Sequence, residues 1–263
     1  MTAVTAFELR DGDGDVAATE HPAAAAVAAL GTILGVWAHP DDEAYLSAGL
    51  MALARANGQR VVVVTATAGE HGTSDPEAWP PDRLADLRRR ELAASLGLLG
   101  VHEHHWLGYA DGACARALQL EAANAIGRII DAVAPDTIVT FGPEGMTGHP
   151  DHRAVSAWTS MAWRLRRPQA TLLHATLLPS FHAEWQALNE RIGLFGDHPA
   201  PHTAPERAAL VIECDRDLWD RKHEALRAHA SQTAPLVEQV GADTYRRWWS
   251  TEAFVAVGRQ TGR

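Results

Sequence analysis

A chain of 263 residues with 46% hydrophobic residues and a formal charge of -10 is long and apolar enough for one large α/β core. The negative charge excludes an extended nucleic-acid groove, because phosphate contacts need a clustered positive surface. No apolar run approaches the roughly 20 residues that span a bilayer, and the alanines at 23–30 follow acidic rather than basic residues, so neither an anchor nor a signal peptide is expected. The two cysteines, Cys114 and Cys214, are far apart without metal-ligand spacing and suit a reducing cytoplasm as free thiols.

In chain order, residues 1–30 mix Asp-Gly pairs with an alanine run and lack a core pattern, so they read as an extension that frays or packs on the surface. Residues 32–37 read as a buried strand, 43–56 as a helix, 60–67 as a second strand and 82–98 as the next helix. A short strand at 104–107, a helix at 118–133 and a strand at 137–141 follow. After these come a helix at 152–167, strands at 171–177 and 208–214, a helix at 218–229 and a last strand near 253–257. The segment 179–206 is rich in Pro, His and aromatic residues and reads as a short helix and a loop over the site, where Trp185 is placed to stack on a ligand. Such alternation predicts an α/β fold with a Rossmann-like, mostly parallel sheet flanked by helices, in a single domain over 31–263.

Two clusters follow predicted strands: Ala38-His39-Pro40-Asp41-Asp42-Glu43 and Gly148-His149-Pro150-Asp151-His152. Ligands in open parallel sheets bind beyond the carboxyl ends of strands, where both clusters lie. The first strand leads into Trp37-Ala38-His39-Pro40 rather than a glycine-rich phosphate turn, which removes a dinucleotide site, and no P-loop lysine is present. Imidazole and carboxylate donors at two strand ends can supply the three ligands of an open zinc site, so the chain reads as a metal-dependent hydrolase. Spacing leaves the ligand set open, since His39 and Asp42 share one face of a helical turn and His149 and His152 share another.

His39-Pro40-Asp41-Asp42-Glu43 and His149-Pro150-Asp151-His152, in this order, resemble the PIG-L/LmbE family of zinc-dependent de-N-acetylases, from about Ile33 to at least Gln232. That family includes the deacetylase of mycothiol biosynthesis and mycothiol conjugate amidases. The resemblance implies that His39, Asp42 and His152 hold the metal, that Asp41 is the general base and that His149 assists the developing charge. It further implies that Arg88, Asp111, Glu70 and His229 line the sugar pocket, in segments similar to those of relatives. Glu43 either supports a ligand from behind or is a helix-terminal acid favoured by the dipole.

His102, Glu103, His104 and His105 are excluded as a second metal cluster, because consecutive strand residues point to opposite faces. One departure stands out: Thr147 occupies the position where some relatives carry a tyrosine that aids the tetrahedral intermediate. The expected reaction is therefore hydrolysis of an N-acyl group, in particular N-acetyl, from an amino sugar in a small glycoside, outside the family's best-known substrate. The alternatives are an amidase acting on thiol conjugates or other acylated natural products, and a zinc-retaining sugar-binding protein without turnover. Zinc is the expected cofactor, with iron(II), cobalt and nickel compatible with the same donors. The expected partner is a small amino-sugar substrate, without nucleic acid or membrane; a homo-oligomer is left open.

Overall fold

The computed structural model describes residues 21–258; the predicted extension lies outside them up to residue 20. The first described element is a short helix, α1 (Ala24–Ala28), which buries Ala24 and Val27 against the next helix. Packing therefore begins nine residues before the first strand, because an alanine run needs only one apolar face to dock. Then come β1 (Ile33–Trp37), α2 (Asp42–Ala56), β2 (Val61–Thr67), α3 (Pro81–Leu98) and β3 (Glu103–Tyr109). They continue with α4 (Gln119–Val133), β4 (Thr137–Phe141), α5 (Pro150–Arg166), β5 (Thr171–Thr176) and α6 (Pro179–Ile192). The last are β6 (Leu210–Glu213), α7 (Arg216–Ala228), α8 (Ala230–Val240), α9 (Ala242–Arg247) and β7 (Thr251–Ala256).

The seven strands form one sheet in the order β3-β2-β1-β4-β5-β7-β6. β1 pairs in parallel with β2 (Ile33 opposite Val61) and with β4 (Ile33 opposite Thr137), and β5 continues the parallel set. Only β7 runs the other way among the described strands, antiparallel to both β5 and β6. This confirms the α/β, mostly parallel reading. β1, β2 and β4 are buried along their whole length, and their Val- and Ile-rich runs are what a strand covered on both faces requires. Burying each such side chain contributes about 1.5–3 kcal/mol.

From β1 the chain crosses to β2 on one side, and from β4 to β5 on the other. The crevice between the carboxyl ends of β1 and β4 is the point where connections diverge, and both histidine clusters open into it.

α2, which carries the first cluster, is gripped from behind by a fully buried ion pair. Glu252 on β7 accepts the N–H groups of Gly49 and Leu50 (2.7 and 2.9 Å), and Lys222 on α7 donates to Glu252 and to the Tyr45 carbonyl (both 2.7 Å). The two side chains satisfy each other and the helix backbone, which is what buried charges require.

Candidate metal centre

The first cluster is shaped by a turn that folds back on itself. Asp42, the first residue of α2, accepts the N–H groups of His39 (2.7 Å) and Ala38 (3.2 Å) through Oδ2, which fixes the strand-to-helix corner. Asp41 caps the helix with φ +118°, a backbone region that residues with a Cβ rarely adopt. Its N–H donates to Glu43 Oε2 (3.0 Å), and its carboxylate receives Arg88 Nη2 (3.2 Å).

The second cluster follows a glycine-rich loop after β4, in which Gly145 and Gly148 take the left-handed conformation (φ +75° and +79°). His149 caps α5: its Nδ1 accepts the Asp151 N–H (3.2 Å), so a neutral ring carries its proton on Nε2. Pro150 occupies the first helical turn, where its missing N–H costs nothing. His152 lies flat on Phe141 (ring centroids 4.2 Å apart, 9° between planes) and turns Nδ1 to the Gly145 carbonyl (3.0 Å), which leaves Nε2 facing the crevice. Thr147 Oγ1 lies 3.5 Å from the same Nδ1, behind the ligand edge of the ring. Its hydroxyl is thus turned away from the crevice where a longer phenol could act.

His39 Nδ1, His152 Nε2 and the Asp42 carboxylate converge: 3.1 Å between the imidazoles, 3.7 Å from His39 to Oδ2 and 3.3 Å from His152 to Oδ1. A tetrahedral ion with bonds of ~2.0–2.1 Å sets its donors about 3.3–3.4 Å apart, and these separations, which end on two different oxygens of Asp42, are of that order. Two further donor groups share His39: His39, His149 and His152, and His39, Asp111 and Asp151, each with one potential ligand atom per residue within 4.8 Å of the others. The opposite edge of His39 meets Asp111 Oδ1 (3.1 Å) and Asp151 Oδ2 (3.4 Å), the carboxylate backing that ligating histidines commonly have.

The charges point the same way. Burial works against a protonated His39, yet its bonds to Asp111 and Asp151 and the charge of Asp42 raise its pKa to about 10. Three carboxylates thus hold a positive charge at this spot, which is the electrostatic requirement of a cation site. Burial, together with the charge on His39, pushes His152 well down and His149 down, so both are neutral imidazoles at pH 7. Burial raises Asp41 to about 6 against the pull of Arg88. Burial also raises Asp42, with His39 opposing it, whereas for Asp111 the bond to His39 overcomes burial and holds the carboxyl well below its usual range.

The remaining candidates are distributed around this centre. Arg88 is buried, and its two Nη groups bond Asp41 and the carbonyls of Pro40 and Gly69, while its buried Nε has no hydrogen-bond partner among the described residues. Gly69 (φ +64°) has to be glycine here, since a Cβ would overlap Arg88 Nη1. Asp111 joins the centre directly, while Glu70 stands one step out, with Oε1 accepting the Asp111 N–H (2.9 Å). His229 is fully buried with Nε2 2.9 Å from Glu43 Oε1. This arrangement gives Glu43 a role that spacing left undecided.

Sequence reasoning gave no role to Asp151, although it stands between the two histidines. Its carboxylate is fully buried and accepts the N–H groups of Gly112 (2.7 Å) and Cys114 (3.0 Å), tying the loop after β3 to the second cluster. The signal was an acid in a helix's first turn, one residue off the His149/His152 face and so pointing across to the neighbouring loop. Two aromatic and histidine expectations also resolve. Trp185 is buried in the core with Arg247 over its ring (5.6 Å), so it has no free face for a ligand. His104 bonds Thr65 Oγ1 (2.9 Å) while His105 is exposed, as opposite strand faces require.

Comparison with known proteins converges on one family. Residues 34–163 match the PIG-L model, described as GlcNAc-PI de-N-acetylase. A 1D-myo-inositol 2-acetamido-2-deoxy-alpha-D-glucopyranoside deacetylase of Thermobifida fusca is 31% identical over 77% of this chain and 83% of its own length. The protein of the same name in Thermomonospora curvata is 39% identical over 78% and 82%. Among solved structures, the N,N'-diacetylchitobiose deacetylase of Pyrococcus horikoshii superposes with a TM-score of 0.59 at 23% identity, covering 86% of this chain and 83% of that one, a likeness of fold.

Proposed function

Because the chain belongs to the PIG-L family of de-N-acetylases, we propose that it is a zinc-dependent hydrolase that removes the N-acetyl group of an amino sugar in a small glycoside. The observation that carries this reading is the convergence of His39 Nδ1, His152 Nε2 and the two oxygens of the Asp42 carboxylate, at 3.1–3.7 Å, with Asp41 beside them in the crevice between β1 and β4. Those three residues would hold the ion, and Asp111 and Asp151 would orient His39 from behind. When bound, the ion supplies Lewis acidity, lowering the pKa of a water to about 7 and polarising the amide carbonyl.

Asp41 then takes the proton from the attacking water and delivers it to the departing nitrogen, so that acetate and a free amine leave. Burial that raises its pKa to about 6 suits a group that accepts a proton and gives it back near neutral pH. Arg88 occupies Oδ2 of Asp41 and leaves Oδ1 for the proton. His149 is neutral with its proton on Nε2, and donates that hydrogen bond to the oxyanion as the carbonyl becomes tetrahedral. Asp111 and Glu70 would stand at the rim toward the sugar, where Glu70 Oε2, which has no hydrogen-bond partner among the described residues, would accept a sugar hydroxyl.

The reading includes one α/β domain from the packed α1 onward and a cytoplasmic setting, for which the two free thiols are the support. No helix of the described residues is long and apolar enough to cross a membrane. A second reading, an amidase for thiol conjugates or other acylated metabolites, is favoured by Thr147, whose hydroxyl backs His152 instead of facing the crevice. A panel of N-acetylglucosaminides and acylated thiol conjugates, followed by mass spectrometry, separates the two by the bond broken. The deacetylase reading expects free amine and acetate from the glycosides; cleavage confined to the conjugates would replace it.

A further inference from the structure

We infer that Glu43, hydrogen-bonded to His229, is a positioning residue for the general base: the pair fixes the main chain of Asp41 and so aims its carboxylate. This rests on the reading of Asp41 as the base. Asp41 is held at φ +118°, a conformation that persists only where its surroundings over-determine it. Two grips do so. On one side Arg88 binds the Pro40 carbonyl and the Asp41 carboxylate; on the other, Glu43 Oε2 accepts the Asp41 N–H at 3.0 Å.

Glu43 is fully buried, and its other oxygen lies 2.9 Å from Nε2 of the equally buried His229. The main chain of His229 is held at the corner between α7 and α8, where its carbonyl accepts the N–H of Gln232 (2.9 Å) and the hydroxyl of Thr233 (3.1 Å), while its ring bonds Glu43 alone among the described residues, through Nε2. Two residues on, Ser231 donates its N–H (2.7 Å) and hydroxyl (2.6 Å) to Glu91, which stands one turn after Arg88 on α3. One corner, His229 to Gln232, therefore anchors both arms that reach Asp41: Glu43 through His229, and the Arg88 helix through Glu91.

Stability alone accounts poorly for the pair. An apolar couple of the same volume is often as stabilising as a buried ion pair. Here one carboxylate oxygen goes to the N–H of the very residue whose backbone is strained. The metal donors have a separate lock, Asp42 on the His39 N–H, so loss of Glu43 should disturb Asp41 and spare the ion.

The test compares Glu43→Ala, Glu43→Gln, His229→Ala and the double variant Glu43→Gln/His229→Ala, with kcat expressed per bound zinc and KM, zinc stoichiometry and melting temperature measured alongside. Glu43→Ala is expected to lower kcat roughly 10–100-fold, the range for groups that support a site from behind, with KM and one bound zinc preserved. Glu43→Gln should retain most of the activity, because its amide oxygen accepts the Asp41 N–H and its NH2 group donates to a neutral His229. His229→Ala leaves the buried Glu43 Oε1 without its partner and loses activity; adding Glu43→Gln replaces the acid with an amide whose oxygen still accepts the Asp41 N–H and restores kcat. If Glu43→Ala does not fold, this rescue decides the matter. Wild-type kcat per zinc in Glu43→Ala, or in His229→Ala, would overturn the inference even if the melting temperature falls. Asp41→Asn is the separate control: full activity there would overturn the base assignment beneath it.

Discussion

Asp151→Asn keeps the shape of a buried side chain while removing half of its capacity to accept hydrogen bonds. The native carboxylate accepts Cys114 N–H on Oδ1 (3.0 Å) and Gly112 N–H on Oδ2 (2.7 Å), with His39 Nε2 3.4 Å from Oδ2. An asparagine must turn its NH2 group toward one of those two donors. That leaves one N–H unpaired, the part-buried one of Gly112 or the buried one of Cys114, at a cost of about 1–3 kcal/mol, and the surviving bond loses its charge assistance, about another 1 kcal/mol. The expected loss is therefore about 2–4 kcal/mol, which for a chain of this size lowers the melting temperature by roughly 4–16 °C. Asp111 still backs His39 at 3.1 Å, so zinc affinity should fall toward the lower end of the roughly 10–100-fold range for such supporting groups. Calorimetry of the metal-free protein and zinc competition against a fluorescent chelator measure the two effects. A variant with wild-type melting temperature and zinc affinity would refute the assignment of Asp151 as the tie between the loop after β3 and the metal site.

Three further outcomes follow from the same physics. Lys222→Met strands the fully buried Glu252 carboxylate and should cost about 3–5 kcal/mol, whereas Lys222→Met/Glu252→Gln should recover only part of it, since the amide removes the charge but accepts only one of the Gly49 and Leu50 N–H groups; chemical denaturation of both variants gives the comparison, and equal losses would contradict it. Burial lowers the pKa of His174 and His104 to about 4, so the unfolded chain takes up protons below about pH 6.5 that the folded chain refuses until about pH 4. Stability should thus fall as the pH drops through that window, and His174→Gln should flatten the decline in the urea midpoint; an unchanged slope would exclude His174 as a contributor. Gly69→Ala, at φ +64° and against Arg88 Nη1, should displace that guanidinium from Asp41 and lower kcat more than zinc affinity, a split that steady-state kinetics and metal titration resolve.

What could be read in the sequence was local. β1, β2 and β4 are apolar runs buried on both faces, and their ends were placed to within a residue or so. The histidine clusters were legible because metal ligation needs particular residue types at short spacing immediately after a strand. Residues 230–247 gave no such signal, since α8 has Pro235 inside it and α9 is six residues long, and both form by docking at the corner that His229 and Ser231 anchor. The reversed direction of β7 was equally silent, because strand periodicity carries no sense of direction. Glu43 with His229 and Lys222 with Glu252 are pairs between separate elements, whose partners only the folded chain brings together. Trp185 was expected on the crevice and lies in the core, since an aromatic residue in a loop-like stretch has the same local pattern in either place.

The most direct test of the central claim is acetate release from an N-acetylglucosamine glycoside by chelator-stripped protein, before and after one equivalent of zinc, beside Asp41→Asn and His152→Ala. The account expects no release from the stripped protein and restoration by zinc. It expects Asp41→Asn to bind zinc without turnover and His152→Ala to lose the metal as well. Equal release with and without zinc, or full activity in either variant, would contradict it.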